Sequence, residues 1–133
     1  MAKKGYCDDI EYLANNNSYF RKVLYTGEHM QLVLMSLAPN EDIGSEIHES
    51  NDQFFRFDRG EGKVIINDNE YEVRDGFAVV VPAGATHNVI NTGTGDLKFY
   101  TIYSPAHHKD GIERETKQEA VDNEEDFDGR LSE

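Results

Sequence analysis

The chain has 133 residues, 26 of them acidic and 13 basic, for a formal charge of −13. So negative a surface repels phosphate backbones and anionic headgroups, so neither nucleic acid nor a membrane is expected as a partner. The single cysteine, Cys7, excludes an intrachain disulfide, no apolar run approaches the ~18 residues of a membrane span, and the N-terminus lacks an apolar secretion segment, so a cytoplasmic location is expected.

In chain order, Asp8 and Asp9 ahead of Ile10-Glu11-Tyr12-Leu13-Ala14 predict a short capped helix that stops at Asn15-Asn16-Asn17. Strand-like runs follow at 19–25, closed by Thr26-Gly27, and at 30–37, closed by Pro39-Asn40. A further run, Gln53-Phe54-Phe55-Arg56-Phe57, lies beyond the polar corner Glu49-Ser50-Asn51-Asp52. Gly60-Glu61-Gly62 turns into 63–66, and Asn67-Asp68-Asn69 predicts a tight hairpin into 70–73. Phe77 to Val81 reads as a buried run, ended by Pro82 and reversed by Gly84. Val89-Ile90 and 97–103 complete the strands, separated by Thr92-Gly93-Thr94-Gly95-Asp96. Short strands at nearly even spacing predict an all-β sandwich or small barrel. Past Pro105 the chain turns acidic. Thr116-x-x-Glu119 can open a short helix as a capping box, and only Val121, Phe127 and Leu131 offer apolar anchors, so this end is expected to be partly flexible.

Two stretches carry chemistry. The Pro82-x-Gly84 turn delivers His87 to the mouth of a strand pair. Upstream, residues two apart in a strand share a face, so Glu46 and His48 project together while Ile47 points away. If the 46–48 and 53–57 runs pair as a hairpin, Gln53 returns to the same side. Two imidazoles, a carboxylate and an amide oxygen then converge, and two His with one carboxylate is an arrangement that holds a divalent first-row metal with positions left open.

Strand alternation also proposes a lining. Phe55 and Phe57 share the face of Gln53 and are either barrel core or pocket wall. On the last strand, Phe99, Thr101 and Tyr103 form one face and Tyr100 and Ile102 the other; alternation alone leaves open which turns inward. Phe55, Phe57 and Tyr103 are the candidate substrate-binding residues, and Tyr103 or Tyr100 a candidate acid–base. Arg56 is expected to pair with surface acids and Asn91 to bond its own turn. His29 reads as an ordinary strand-end residue, and His107 and His108 as solvated loop residues. Nucleophilic catalysis has little support, since Cys7 sits in the N-terminal arm.

These residues resemble the cupin family. Its second motif, G-x5-P-x-G-x2-H-x3-N, is met by Gly76, Pro82, Gly84, His87 and Asn91. Its first, G-x5-H-x-H-x3,4-E-x6-G, is met in part: counting back from Gly60, Gln53 replaces the glutamate, His48 is the second histidine, Glu46 replaces the first, and Asn40 stands for the opening glycine. The resemblance implies a double-stranded β-helix, or jelly roll, over 29–104, with an N-terminal arm at 1–28 carrying a short helix and first strand, and the acidic segment at 105–133. It also implies a metal site on Glu46, His48, Gln53 and His87 for a divalent transition metal (Fe, Mn, Ni, Co or Zn). The exchange keeps one negative ligand charge but moves it from position 53 to position 46. The implied function is a metal-binding cupin with a small-molecule pocket inside the barrel and oxygenase or sugar-type isomerase chemistry. The alternatives are a non-catalytic small-molecule binding module or a dimeric scaffold. Small cupins commonly pair through their N-terminal strands, so a homodimer is expected.

Overall fold

The computed structural model describes residues 2–133. In chain order the described residues form α1 (Ile10–Asn16), β1 (Arg21–Thr26), β2 (Gln31–Leu37), β3 (Glu46–Ile47), β4 (Asp52–Arg59), β5 (Glu61–Ile66), β6 (Asn69–Arg74), β7 (Ala78–Val81), β8 (Thr86–Asn91), β9 (Leu97–Ser104), β10 (Glu113–Arg114) and α2 (Lys117–Asp122). The strands make two antiparallel sheets, β10-β1-β2-β9-β4-β7 and β3-β8-β5-β6. This is the all-β jelly roll that the strand spacing and the motif resemblance predict.

Alternation explains which faces meet. Gln53, Phe55 and Phe57 on β4 are buried while Phe54 and Arg56 are less so, and on β9 the buried face is Leu97, Phe99, Thr101 and Tyr103. The face left open by the sequence is therefore settled: Tyr103 points inward and Tyr100 outward. Phe55 and Phe57 stack with centroids 6.2 Å apart, and Phe57 meets Phe99 at 5.2 Å. Val33, Met35, Leu37, Val64 and Val89 complete the interior. Such fully buried side chains contribute about 1.5–3 kcal/mol each, enough to hold the two sheets face to face.

Glycines and asparagines set the corners. Gly60 has φ +95°, and a Cβ there would sit 2.6 Å from the Asp96 carbonyl oxygen. Asn40, at the motif's opening glycine, has φ +68°, which asparagine tolerates better than most residues. Asn91 donates to the Leu37 and Gly95 carbonyls (both 2.9 Å) and accepts from Gly93 N (2.9 Å), bonding its own turn as expected. Arg56 pairs with Asp58 at 3.8 Å.

Some expectations give way. The 46–48 and 53–57 runs do not form a hairpin. β3 pairs with β8 and β4 pairs with β7 and β9, so the polar corner at 49–51 carries the chain from one sheet to the other. Gln53 is buried on a strand of the other sheet. The Phe77–Val81 run is not uniformly buried: β7 is the edge of its sheet, so Phe77 and Val80 are exposed and only Val81 is buried. At the C-terminus half of the capping box forms, with Thr116 Oγ1 accepting from Glu119 N at 3.0 Å while the Glu119 carboxylate accepts from Glu115 N at 3.4 Å. Val121 is exposed, and Ala120 takes the buried position. Polar contacts supplement these sparse anchors: Phe127 N donates to His107 O (3.0 Å), Ser132 N to Thr26 O (2.9 Å), and the Glu133 carboxylate accepts from Lys4 N, Gly5 N and Tyr25 Oη. No helix among the described residues is long and apolar enough to cross a membrane.

Candidate metal centre

β3 and β8 are adjacent antiparallel strands in register Glu46↔His87, so the two motifs meet at one end of the smaller sheet. Gly84 N donates to His48 O at 2.9 Å, which ties the Pro-x-Gly turn to the end of β3. Ile47 is half exposed, so its neighbours Glu46 and His48 face the interior, as the two-residue period requires. Donor atoms of Glu46, His48 and His87 all lie within 4.8 Å of one another. Ligands about 2.0–2.2 Å from one ion are up to about 4.4 Å apart, so small side-chain rotations suffice to close the set.

His87 is 1% exposed, and its Nδ1 lies 3.3 Å from Ala85 O. Donation through Nδ1–H leaves Nε2 as a lone-pair acceptor, and that Nε2 is buried without a partner. Burial holds the His87 pKa below its usual value, so the ring is neutral at pH 7. For Glu46, burial raises the pKa, but the hydrogen bond from His48 Nε2 (3.0 Å) and the nearby Arg21 charge outweigh it and keep the carboxylate ionised. A neutral imidazole and an ionised carboxylate are the protonation states that a metal requires.

Gln53 approaches from the facing sheet, beside Tyr103 in the β4–β9 register. It is 2% exposed; its Nε2 donates to Thr101 Oγ1 (3.0 Å), and its Oε1 has no partner. Phe55 packs edge-on to His87, centroids 6.2 Å apart, and Phe57 lies deeper, both with no exposed surface.

The mouth of the barrel holds residues that strand reading missed. The chain after β9 folds back over the site, and the His107 ring packs tilted against His48 with centroids 4.2 Å apart. His108 is 5% exposed, which corrects the expectation of a solvated loop residue. Its Nε2 lies 3.1 Å from Tyr103 Oη and its Nδ1 3.3 Å from Glu125 Oε1. The buried amide of Gln31 clamps this loop, donating to His108 O (2.7 Å) and accepting from the backbone of His107 and His108. A glutamine at an inward position of β2 was the one available signal. Burial and the neighbouring His108 and His48 push the His107 pKa down to about 4, and burial pushes the Tyr103 phenol up, so at neutral pH the mouth carries a neutral imidazole and a protonated phenol. A cavity of about 290 Å³ opens here, lined among others by Arg21, Glu46, His107, His108 and Glu125.

The family model for the cupin domain matches residues 33–103, more than half of the chain. The chain belongs to the cupin family. It is 45% identical over 124 residues to the uncharacterized protein YrkC of Bacillus subtilis (strain 168), covering 89% of this chain and 67% of that one. It is 46% identical over 99 residues to the uncharacterized protein L612 of Acanthamoeba polyphaga mimivirus, covering 71% and 62%. This cupin thus spans about two-thirds of the length of these relatives. Among solved structures, BH2720 from Bacillus halodurans is similar with a TM-score of 0.89 and 41% identity, covering 90% of this chain and 96% of that one. TT1209 from Thermus thermophilus has a TM-score of 0.65 at 26% identity, covering 74% and 96%.

Proposed function

We propose that this cupin holds a divalent transition-metal ion on Glu46, His48 and His87, with the Gln53 amide oxygen as a fourth donor, and acts on a small molecule bound at the barrel mouth. One observation carries the reading: a ring nitrogen of His87 lies within 4.8 Å of ligand atoms of Glu46 and His48, and the buried Nε2 of His87 has no partner. An orphaned buried nitrogen costs roughly 1–3 kcal/mol of desolvation, and a cation offsets that cost. Gln53 Oε1 is a second orphan of the same kind. When bound, such an ion supplies Lewis-acid polarisation of a substrate oxygen, which isomerase and oxygenase chemistry share. Around it this chain provides a neutral His107 imidazole and a protonated Tyr103 hydroxyl able to hydrogen-bond a substrate oxygen, while Phe55 walls the inner side.

Elemental analysis of protein grown in defined medium tests the reading. One ion per chain is expected in the wild type and little in His48→Ala or His87→Ala. Equal metal in all three preparations would falsify it. Oxygen uptake on a candidate substrate then separates the oxygenase branch from anaerobic isomerisation. Pairing of two copies through the N-terminal strands belongs to the same proposal; a sedimentation mass near that of one chain counts against it.

A further inference from the structure

Arg21 occupies an inward position on β1, alternating with Val23, and the two are 8% and 5% exposed. Its side chain lines the same cavity as Glu46, His107 and His108. The other buried cation of the described residues is accounted for: Lys98 donates to Asn17 O and Ser36 Oγ and pairs with Asp96 at 3.5 Å. Arg21 is not. Among the described residues its guanidinium lies 5.3 Å from the Phe20 ring centroid but has no ion pair, and its Nε is buried with no hydrogen-bond partner. A guanidinium stays charged at any working pH, has donors and no acceptor, and presents a planar fork that fits a carboxylate with two parallel hydrogen bonds. Burying it unpaired is unfavourable, and a bound anion removes that cost.

We propose that Arg21 anchors the carboxylate of a small organic ligand whose second donor group reaches the Glu46, His48 and His87 cluster. The assignment rests on the metal reading above and narrows its substrate to carboxylate-bearing molecules. At the Arg21 end of the ligand a group carrying one negative charge is favoured over a phosphate dianion, because Glu46, Glu124, Glu125 and Asp126 also line the cavity and its other cation, Lys117, is paired with Asp42; a second carboxylate belongs at the metal. Arg21, Glu46 and Glu125 line one cavity, so a ligand held by Arg21 lies beside the metal cluster.

Co(II)-loaded wild type, Arg21→Gln and Arg21→Lys are titrated with malonate, malonamide and inorganic phosphate, following the visible Co(II) bands and the binding heat. Malonate should bind the wild type and perturb the bands. It should bind Arg21→Gln about 30-fold or more weakly, and Arg21→Lys in between, because truncating one partner of a desolvated charge pair costs at least that much. Malonamide should bind weakly to all three, with equal Co(II) stoichiometry throughout. Malonate affinity unchanged in Arg21→Gln overturns the proposal and leaves Arg21 a structural counter-ion. Absence of malonate binding to the wild type, or phosphate binding more tightly than malonate, overturns it too. Should the wild type take up no Co(II), the metal reading alone has failed. The rise in Tm with malonate, present in the wild type and lost in Arg21→Gln, then still decides for Arg21, and its equality in both decides against. If circular dichroism shows Arg21→Gln unfolded, Arg21→Lys carries the comparison.

Discussion

Gln53→Glu restores the carboxylate of the cupin motif, and its effect should reverse sign with metal. In the metal-free protein the new carboxylate sits at a position 2% exposed, loses the donor that Gln53 offers Thr101, and faces an ionised Glu46. Thr101 cannot rescue it, because its hydroxyl already donates to Phe54 O at 2.8 Å. A buried carboxyl escapes by taking up a proton, which caps the penalty at pH 7 at about 3.7 kcal/mol, the roughly 2.7 units between pH 7 and a free glutamate times about 1.36 kcal/mol. At pH 5 the same ceiling is about 1 kcal/mol. Urea melts after chelator treatment should therefore show Gln53→Glu less stable than wild type by about 3 kcal/mol at pH 7 and by about 1 kcal/mol at pH 5. Adding Mn(II) or Zn(II) should stabilise the variant more than the wild type, since the donor set now carries two negative charges. Equal stability of the two metal-free proteins at both pH values refutes a dry, unpartnered environment at position 53. An equal response to metal refutes its facing the ion.

Three further outcomes are expected. Asn91→Ala removes three hydrogen bonds at a site 1% exposed and should cost about 2–4 kcal/mol in denaturant melts, with metal uptake retained if refolding is complete. Gly62→Ala should cost about 1–3 kcal/mol, because its Cβ would meet Leu97 Cδ2 at 2.8 Å and the Ile90 carbonyl at 2.9 Å, while β5 is held on both sides by pairing. Acidification should destabilise the metal-free fold from about pH 6.5 downward. Burial lowers the pKa values of His87, His107 and His108 in the folded state, so between about 6.5 and about 4 the unfolded chain binds more protons and stability falls as pH falls. Glu125, whose pKa the adjacent His108 lowers against the opposing effect of burial, adds to the loss below 4.5. A stability that is flat between pH 7 and pH 5 contradicts the burial of these rings.

How much of the fold and the site is legible in the sequence differs residue by residue. The Gly76 to Asn91 spacing locates His87 and its turn, because proline, glycine and the period of two are local constraints that act on neighbouring residues whatever surrounds them. The common inward face of Glu46 and His48 follows from the same period. The partner of that face does not: the sequence suggests a hairpin with the Gln53 run, and only the tertiary fold sends that run across to the other sheet. Uniform burial of Phe77–Val81 fails for a related reason, since whether a strand lies at the centre or the edge of a sheet is decided by other strands.

The amino-acid sequence on its own determined the strand periods, the corners at Gly60, Gly84 and Asn91, and the identities of three donors able to meet at an ion. The folded chain decided what lies above them. Arg21, His107, His108 and Glu125 come from distant stretches of the chain and meet because Gln31 clamps the loop after β9 and the acidic C-terminus packs back across the opening. Such encounters depend on which surfaces remain uncovered once the sheets have closed, and no local rule carries that information.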